Sequence, residues 1–403
     1  MVAGRVPFPV DDGWKMRTFN IMKGLAHQGV MIDFIAFGEG EPSDPRYHEL
    51  NSLCNRLEIV PRRKSYALSD LLKGLVFRTP FPVLNYYDKL FACRMDGLAA
   101  SRQYDFLMVE DIVMASYARK VTVPVKFLDM HNVESHLMRR YAENESSPAR
   151  RIYARLTAGK LARYERSVGD EFDGVFVCSE ADRKLLKEMK IQSDIVVIPN
   201  GIDPDLCRLE GGTHDEGCIV FVGSMDYHAN RSGIIYFVKT TFPLISRQFP
   251  AATLYIVGKN PGTDITSLAS DRIIVTGLVD DVRPYLERAA VVVVPLLVGG
   301  GTRLKILEAL AMGKAVVSTS LGCEGIEAQS GDTIYLEDTP ETFAQRVLEL
   351  LNQPELAKQI GDRGRSLVVE RYDWNRITGG IIETYKRHRQ KSLEENHASY
   401  LGR

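Results

Sequence analysis

Short apolar runs recur along the 403-residue chain and alternate with longer amphipathic segments. Most of the runs are rich in β-branched or aromatic residues and end in a turn residue, which is typical of buried strands. The ten clearest runs read VMIDFIAF, YDFLMVE, VPVKFLDM, GVFVCSE, DIVVIP, CIVFVG, ATLYIVG, RIIVTG, AVVVVP and AVVST. Segments between them, such as RTFNIMKGLAHQG and TFAQRVLELLNQ, have the apolar spacing of helices. This alternation predicts βαβ units and parallel sheets, and ten strands favour two sheets over one.

The clearest break in this pattern is VIPNGIDPDL at residues 197–206, where prolines, an asparagine and a glycine interrupt both helix and strand. A new strand run, CIVFVG, follows the polar stretch EGGTHDEG. We therefore predict an α/β protein of two doubly wound, Rossmann-like domains, residues 1–200 and 201–375, that face each other across a cleft. Ligands of such sheets bind at the carboxyl ends of the strands, so the cleft is the predicted ligand site. The charged tail after about Arg387 is expected to fray.

The composition argues against several classes of function. The net charge is −1, so no nucleic-acid partner is indicated. The six cysteines are scattered, without a CxxC pair, which favours reduced thiols in a cytoplasmic protein. No targeting segment is visible in the sequence. The longest apolar run, residues 289–298, is far shorter than the ~20 residues that span a bilayer.

Three consecutive glycines, Gly299, Gly300 and Gly301, separate a run of valines from an amphipathic helix. At such a strand-to-helix turn the helix N-terminal amides have no partner and carry partial positive charge. Glycines allow an anion to approach these amides closely. The glycine triplet therefore indicates an anion site, whereas a glycine-rich turn without a ligand is the simpler structural alternative.

The charged residues after the triplet refine this hypothesis. Arg303, in the predicted first helical turn, can bind an anion, and Lys305 and Glu308 share one side of the helix because they are three residues apart. A phosphate at the helix start, with a sugar hydroxyl on Glu308, would use all three. The alternative is a solvated Lys305–Glu308 pair. Neither the P-loop pattern nor GxGxxG matches, because Glu308 and Leu304 stand where those motifs need other residues.

The segment PLLVGGGTRLKILEALAMGKAVVSTSLGCEGI resembles the donor site of family 4 glycosyltransferases with the GT-B fold. FVGSMDYHAN, LYIVGKNP, VTGLVDDVRPYLERAAVVVVP and YDWNRI resemble that family in the same order. The N-terminal half is similar through RVPFPVDDGWKMRTFNIMKGLA, LDMHNVES and VFVCSEAD with VIPNGID. The likeness covers nearly the whole chain and is closest to the bacterial branch that builds exopolysaccharides and other cell-surface glycans. It also implies that residues 376–403 form a C-terminal helix that packs back on the first domain.

The resemblance implies a retaining hexosyltransferase that takes a sugar from a nucleoside diphosphate sugar and requires no metal. Arg303 and Lys305 then bind the diphosphate and stabilise the charge that grows as the nucleotide leaves. Glu308 matches the second acid of the family's E-x7-E pattern, which holds the ribose hydroxyls. The first acid is replaced by Gly300, which leaves the donor sugar open and implies contacts from backbone amides. A front-face route is favoured over a covalent carboxylate intermediate.

Three further positions of the second domain match the family. Gly223 follows a strand, but Ser224 and Ala229 stand where many relatives carry cations, and Arg231 is a candidate substitute. Lys259 follows the next strand end and is either a nucleotide contact or a solvated loop lysine. In GLVDD, Val279 marks the loop that meets the base, mostly through backbone groups. Since such groups leave no side-chain signature, the base is open, and we favour UDP over GDP.

In the first domain, DDGWKMR resembles the loop that closes over phosphate or acceptor. There Gly13 allows close approach and Lys15 offers charge, whereas Arg17 is either a ligand contact or an ordinary helix-surface residue. His131, just past a strand end, matches the histidine that contacts the donor sugar. Asp129 and Glu134, its neighbours along the chain, are weaker candidates.

Two basic stretches, residues 62–94 and 139–166, mix cations with aromatic and leucine side chains. Such stretches are typical either of a solvated helix face or of a helix on anionic lipid. We therefore hypothesise peripheral contact with the inner face of the plasma membrane, where the acceptor would be a glycan or a lipid-linked glycan. Two other functions stay open: a sugar-nucleotide epimerase on the same fold, and a non-catalytic nucleotide-sugar-binding partner.

Overall fold

The computed structural model describes residues 1–10, 12–62, 77–205, 207, 215–298 and 303–401, without the side chains of Asn144 and of residues 395–401. The chain divides into two compact units. The first consists of Met1–Pro199 and Ile377–Arg403, and the second of Asn200–Arg376. Each unit is built around its own parallel sheet.

The sheet of the first unit has the strand order β3-β2-β1-β4-β5-β6-β7, and all its pairs are parallel. Its strands are β1 Val2–Ala3, β2 Asp33–Gly38, β3 Arg56–Pro61, β4 Phe106–Glu110, β5 Val125–Met130, β6 Gly174–Val177 and β7 Asp194–Val197. The central strands are buried on both faces, which explains their almost unbroken apolar sequences. The two-residue β1 is the third strand of this order, with β2 and β3 on one side of it and β4 to β7 on the other.

Helices cover this sheet. They are α1 Gly13–His27, α2 His48–Leu53, α3 Phe81–Tyr86, α4 Lys89–Ser101, α5 Glu134–Asn144, α6 Pro148–Gly169 and α7 Glu180–Glu188, with 3₁₀ segments at Pro45–Tyr47 and Ile112–Lys120. α1 begins after Asp12 because the Asp12 carboxylate accepts a hydrogen bond of 2.9 Å from the Lys15 backbone N–H. From Ile377 onward the last helix belongs to this unit, where its Tyr385 ring lies 5.2 Å from that of Phe106.

The second unit has a sheet of order β10-β9-β8-β11-β12-β13, again with only parallel pairs. Its strands are β8 Cys218–Val222, β9 Thr253–Val257, β10 Ile273–Gly277, β11 Val291–Val294, β12 Val316–Ser318 and β13 Tyr335–Leu336. Its helices are α8 His228–Tyr236, α9 Phe242–Gln248, α10 Thr263–Thr266, α11 Arg283–Arg288, α12 Leu304–Ala311, α13 Pro340–Asn352 and α14 Pro354–Arg371, with a π segment at Phe237–Thr241. α15, Trp374–Leu401, completes the chain order.

The predicted α/β class with two parallel sheets is confirmed, and each of the ten apolar runs contains a strand. Three strands lie outside these runs. β1 and β13 have only two residues each, and β3 lies at the sheet edge with only Leu57 and Val60 buried. Among the described residues, no helix is both long enough and apolar enough to cross a membrane.

Candidate active site

Two glycines form a tight contact at the carboxyl edge of the second unit's sheet. Gly223 follows β8 and Gly258 follows β9, and the Gly223 N–H donates to the Val257 carbonyl at 2.9 Å. A Cβ atom on Gly258 would lie 1.9 Å from the Gly223 carbonyl oxygen, and its φ of +154° is one that side-chain-bearing residues rarely adopt. Glycine is therefore required at position 258, and the two loops approach each other closely at Gly223 and Gly258, which carry no side chains.

The Lys305 side chain of α12 lies next to Gly223. Its ammonium donates to Asn230 Oδ1 at 2.7 Å and lies 4.5 Å from the centre of the Phe221 ring. A Cβ atom on Gly223 would lie 2.6 Å from the Lys305 nitrogen, so the glycine leaves the room that the ammonium occupies. Asn230 is only 6 % exposed and is fixed by a bond from its Nδ2 to the Ser224 carbonyl at 2.8 Å. Sequence reasoning missed Asn230, although it directly follows Ala229, a position matched to the family.

The residues after the glycine triplet differ from the prediction in one respect. α12 begins at Leu304, so Arg303 is its N-cap residue rather than part of the first turn, and Arg303 is 7 % exposed. Ile306 and Leu310 are buried in this helix, whereas Leu304 is only partly buried. The glycines themselves, Gly299, Gly300 and Gly301, lie outside the described residues, so their predicted contacts stay a prediction.

Burial perturbs both titratable side chains of α12. It lowers the pKa of Lys305 to about 7, with the Arg303 charge acting in the same direction and Glu308 opposing. It raises the pKa of Glu308 to about 7, with the Lys305 charge opposing. A lysine and a glutamate that both titrate near neutral pH, beside a helix N-terminus, are suited to bind an anion and a hydroxyl.

The other predicted residues of this unit are more exposed. Lys259 is exposed at the end of β9, and its carbonyl accepts from the Met225 N–H at 3.0 Å. Val279 is half-buried in the loop after β10. Arg231, the candidate substitute cation, forms an ion pair of 2.6 Å with Asp264. The ion pair therefore joins Arg231 to the short helix α10.

In the first unit, the predicted residues Gly13, Lys15 and Arg17 all lie in the first two turns of α1 and not in a loop. Gly13 is exposed, and a Cβ atom there would meet nothing described within 4 Å. Lys15 is half-buried, two positions further along the helix. The suggestion that Arg17 is an ordinary helix-surface residue is wrong, because Arg17 is 1 % exposed. Its Nε and Nη2 donate to the two oxygens of Asp129 at 2.8 and 2.7 Å.

His131 lies in the same buried polar cluster. Its Nε2 is 3.0 Å from Glu110 Oε2 and 3.5 Å from Asp129 Oδ2, and its side chain is 7 % exposed. The Trp14 ring stacks on the imidazole with a centroid distance of 5.3 Å and an angle of 19°. Sequence reasoning missed Glu110 and Trp14. The signal for Glu110 was available, since it ends the run YDFLMVE next to the strand that precedes His131.

The carboxyl groups around His131 have unequal pKa values. Burial favours the neutral form of Asp129, but the charges and hydrogen bonds of its neighbours, the charge of Arg17 foremost, together outweigh burial and lower the pKa of Asp129. Burial and the neighbouring Asp129 raise the pKa of Glu110. Burial also raises the pKa of Glu134 to about 7, with Asp111 acting in the same direction. Glu134 is thus a half-buried acid near His131 that titrates near neutral pH.

Each of the two units is similar to a domain of known proteins. A model described as "Glycosyl transferase 4-like domain" matches residues 12–201, and one described as "Glycosyl transferases group 1" matches residues 216–353. A Klebsiella pneumoniae protein, "Uncharacterized 44.6 kDa protein in cps region", is 22% identical over 95% of this chain and 98% of its own. The sucrose-phosphate synthase from Thermosynechococcus elongatus has a similar structure, with a TM-score of 0.69, 19% identity and coverage of 96% and 98% of the two chains. Anabaena HepE in complex with UDP has a TM-score of 0.67, 14% identity and coverage of 96% and 99%.

The two parallel sheets and these matches define the class of protein as a GT-B enzyme. The chain belongs to the glycosyltransferases that consist of a glycosyl transferase 4-like domain followed by a group 1 domain. It is therefore an enzyme that transfers glycosyl groups, and the suspected relationship to family 4 glycosyltransferases is confirmed.

Proposed function

We propose that this enzyme is a retaining, metal-independent hexosyltransferase that moves a sugar from a nucleoside diphosphate sugar to a glycan or lipid-linked acceptor in cell-surface polysaccharide synthesis. The observation that carries the proposal is the Lys305 ammonium held between Asn230, Phe221 and Gly223 at the carboxyl edge of a parallel sheet. The Klebsiella relative from the cps region supports the polysaccharide context. The complex of HepE with UDP supports a UDP-sugar donor over a GDP-sugar donor.

In this proposal each of the predicted site residues Arg303, Lys305, Glu308 and His131 has one task. Lys305 and Arg303 bind the diphosphate, and their charges stabilise the negative charge that develops on the departing nucleotide. Glu308 accepts hydrogen bonds from the ribose hydroxyls, and His131 contacts the donor sugar. The acceptor hydroxyl attacks the anomeric carbon on the face from which the nucleotide leaves, and the donor's phosphate oxygen takes its proton. Retention follows from attack on that face.

Thermal shift in EDTA tests the donor site directly. Wild-type protein should be stabilised by one nucleotide among UDP, GDP and ADP, because a ligand that binds only the folded state raises the melting temperature by mass action. The Glu308→Ala variant should lose this response, since it removes the carboxylate that binds the ribose. Glu341→Ala, which removes an exposed glutamate of α13 in the same unit, is the matched control and should keep it. Equal stabilisation of wild type and Glu308→Ala would contradict the assigned role of Glu308.

The affinity for a UDP-sugar should depend on pH with a maximum near pH 7. The diphosphate binds the protonated form of Lys305, whose pKa is about 7, so affinity falls as pH rises above 7. The ribose binds the ionised form of Glu308, whose pKa is also about 7, so affinity falls as pH drops below 7. Calorimetry between about pH 5.5 and 8.5 should give a bell-shaped profile. Glu308→Gln should remove the acid limb and Lys305→Met the alkaline limb, and a flat wild-type profile would contradict this assignment.

The membrane contact is proposed from α6. Ile152 and Leu156 are 59% and 52% exposed and lie one turn apart, with the exposed Arg155 and Arg163 beside them. Apolar side chains among cations are typical of a helix that lies on anionic lipid. In sedimentation with anionic vesicles at low salt, wild type should bind and Ile152→Glu with Leu156→Glu should not. Leu393→Glu, which changes another exposed leucine, should bind like wild type, and wild-type protein that stays in the supernatant would end this proposal.

A further inference from the structure

Glu110 is a buried carboxyl group that the proposed reaction does not use. It ends β4 and pairs in register with Asp129 of β5, and both side chains are fully buried. In-register neighbours on adjacent strands point to the same face of the sheet, so the two carboxyl groups lie side by side. The Arg17 guanidinium binds both oxygens of Asp129. Glu110 is bound instead by His131 and Thr18.

The hydrogen bonds of Glu110 determine where the imidazole proton lies. Thr18 Oγ1 donates to Glu110 Oε2 at 3.2 Å, and His131 Nε2 is 3.0 Å from the same oxygen. Oε2 therefore acts as an acceptor. Oε1 has no partner among the described residues. An ionised Glu110 can only accept hydrogen bonds, so His131 Nε2 is then the donor of the 3.0 Å contact.

The ring of His131 is also held on its face. Trp14 stacks on the imidazole at 5.3 Å, and the side chain is 7 % exposed. The backbone carbonyl of His131 accepts from Cys178 Sγ at 3.3 Å. The backbone, the ring face and Nε2 are thus all fixed, and Glu110 is the group that fixes the ring edge.

We propose that Glu110 is a positioning residue for His131, which it holds in the neutral tautomer with the proton on Nε2 and with Nδ1 as the acceptor nitrogen. The effect on turnover rests on the proposed function, in which His131 contacts the donor sugar. The tautomer itself does not depend on that function. Glu110 acts through His131 and needs no contact with the substrate.

A metal site is the competing explanation of the same cluster. Glu110, Asp129 and His131 offer ligand atoms that lie within 4.8 Å of one another. However, both oxygens of Asp129 already accept charge-assisted bonds from Arg17 at 2.8 and 2.7 Å. A metal ion bound there would place a second positive charge beside the buried Arg17 guanidinium, which already compensates the charge of Asp129. The cluster is therefore better explained as a hydrogen-bond network.

Nitrogen NMR of ¹⁵N-histidine-labelled protein tests the tautomer without any assay of activity. At pH 7.5, His131 Nε2 should resonate as a protonated imidazole nitrogen and Nδ1 as an unprotonated one. In Glu110→Leu, which keeps the apolar volume but cannot accept, both tautomers should appear. In Glu110→Gln, whose amide oxygen can accept, the Nε2–H form should persist. A proton on Nδ1 of His131 in the wild type overturns the proposal, and this result requires no variant. His131 nitrogen signals that move when micromolar Zn²⁺ is added also overturn it.

Kinetics then separate positioning from structural support. Glu110→Leu should lower kcat roughly 100-fold, as misplacement of a contacting group does, with little change in the donor KM. Glu110→Gln should restore most of this loss. Glu165→Leu is the matched control, because Glu165 is an equally buried glutamate that bonds the Ser135 backbone N–H at 3.0 Å and not His131. An equal loss of kcat in Glu165→Leu overturns the positioning role of Glu110. If the wild type shows no turnover, the proposed function is rejected, and the nitrogen shifts alone decide the tautomer of His131.

Discussion

Replacing Lys305 by methionine should lower kcat by about 10²- to 10³-fold at saturating donor, as removal of one charge-stabilising donor does in other enzymes. Methionine keeps an unbranched apolar side chain and removes the ammonium, which in the structure lies 4.5 Å from the centre of the Phe221 ring and donates to Asn230 at 2.7 Å. The loss should be in kcat more than in KM, because the charge on the diphosphate grows as the bond to the sugar breaks. Release of UDP from a UDP-sugar in the presence of acceptor measures this effect.

Two comparisons make the Lys305 experiment decisive. Lys239→Met, which removes an exposed lysine of the same unit, should leave kcat within about twofold of wild type. Asn230→Ala should give an intermediate loss, because the ammonium remains but its acceptor is removed. If Lys305→Met retained more than about a third of the wild-type kcat, Lys305 would not stabilise the departing nucleotide, and the diphosphate would have to be neutralised by other groups.

The sequence was sufficient for the sheets because buried parallel strands have a distinctive composition. The run AVVVVP contains β11 and CIVFVG contains β8, each with its turn residue at the carboxyl end. The same regularity is enough to place Gly223 and Lys259 at strand ends from the sequence alone. β3 escapes this reasoning, because Arg56 and Glu58 interrupt its apolar residues and leave it without an unbroken apolar run.

The contacts inside the sites could not be predicted in the same way. Arg17 and Asp129 are 112 positions apart, and a lone arginine in an amphipathic helix is usually solvated. Only the strand register, which pairs Glu110 with Asp129, brings a second carboxyl group to His131. The sequence identified His131 and Lys305 through family resemblance, whereas the residues that hold them, Glu110 and Asn230, depend on long-range packing.

Arg17→Met should destabilise the first unit by about 3–5 kcal/mol, which makes it the largest stability effect we expect. The substitution leaves the Asp129 carboxylate fully buried without the two bonds of 2.8 and 2.7 Å that Arg17 donates. Urea unfolding followed by the fluorescence of Trp14 measures this unit alone once Trp374, the second of the two tryptophans, is changed to phenylalanine. All variants are therefore compared in a Trp374→Phe background.

The matched control is Arg119→Met. Arg119 also forms a two-bond pair, to Glu171 at 2.8 Å, but its side chain is 52% exposed and that of Glu171 is 34% exposed. Exposed pairs contribute about 0–1 kcal/mol, so this variant should unfold close to wild type. The double variant Arg17→Met with Asp129→Leu should recover much of the lost stability, because it removes the unpaired charge together with its partner.

The pH dependence distinguishes a lost ion pair from lost packing. Arg17 lowers the pKa of Asp129, so the pair's contribution is fully present above the unfolded pKa of about 3.9 and is lost as pH falls through the folded value. In Arg17→Met, burial without the guanidinium should raise the pKa of Asp129, so protonation relieves the penalty as pH falls. The stability difference between wild type and variant should therefore shrink on acidification. A difference that is independent of pH would mean that Arg17 stabilises the unit by its volume, and the charge cluster around His131 would then need another explanation.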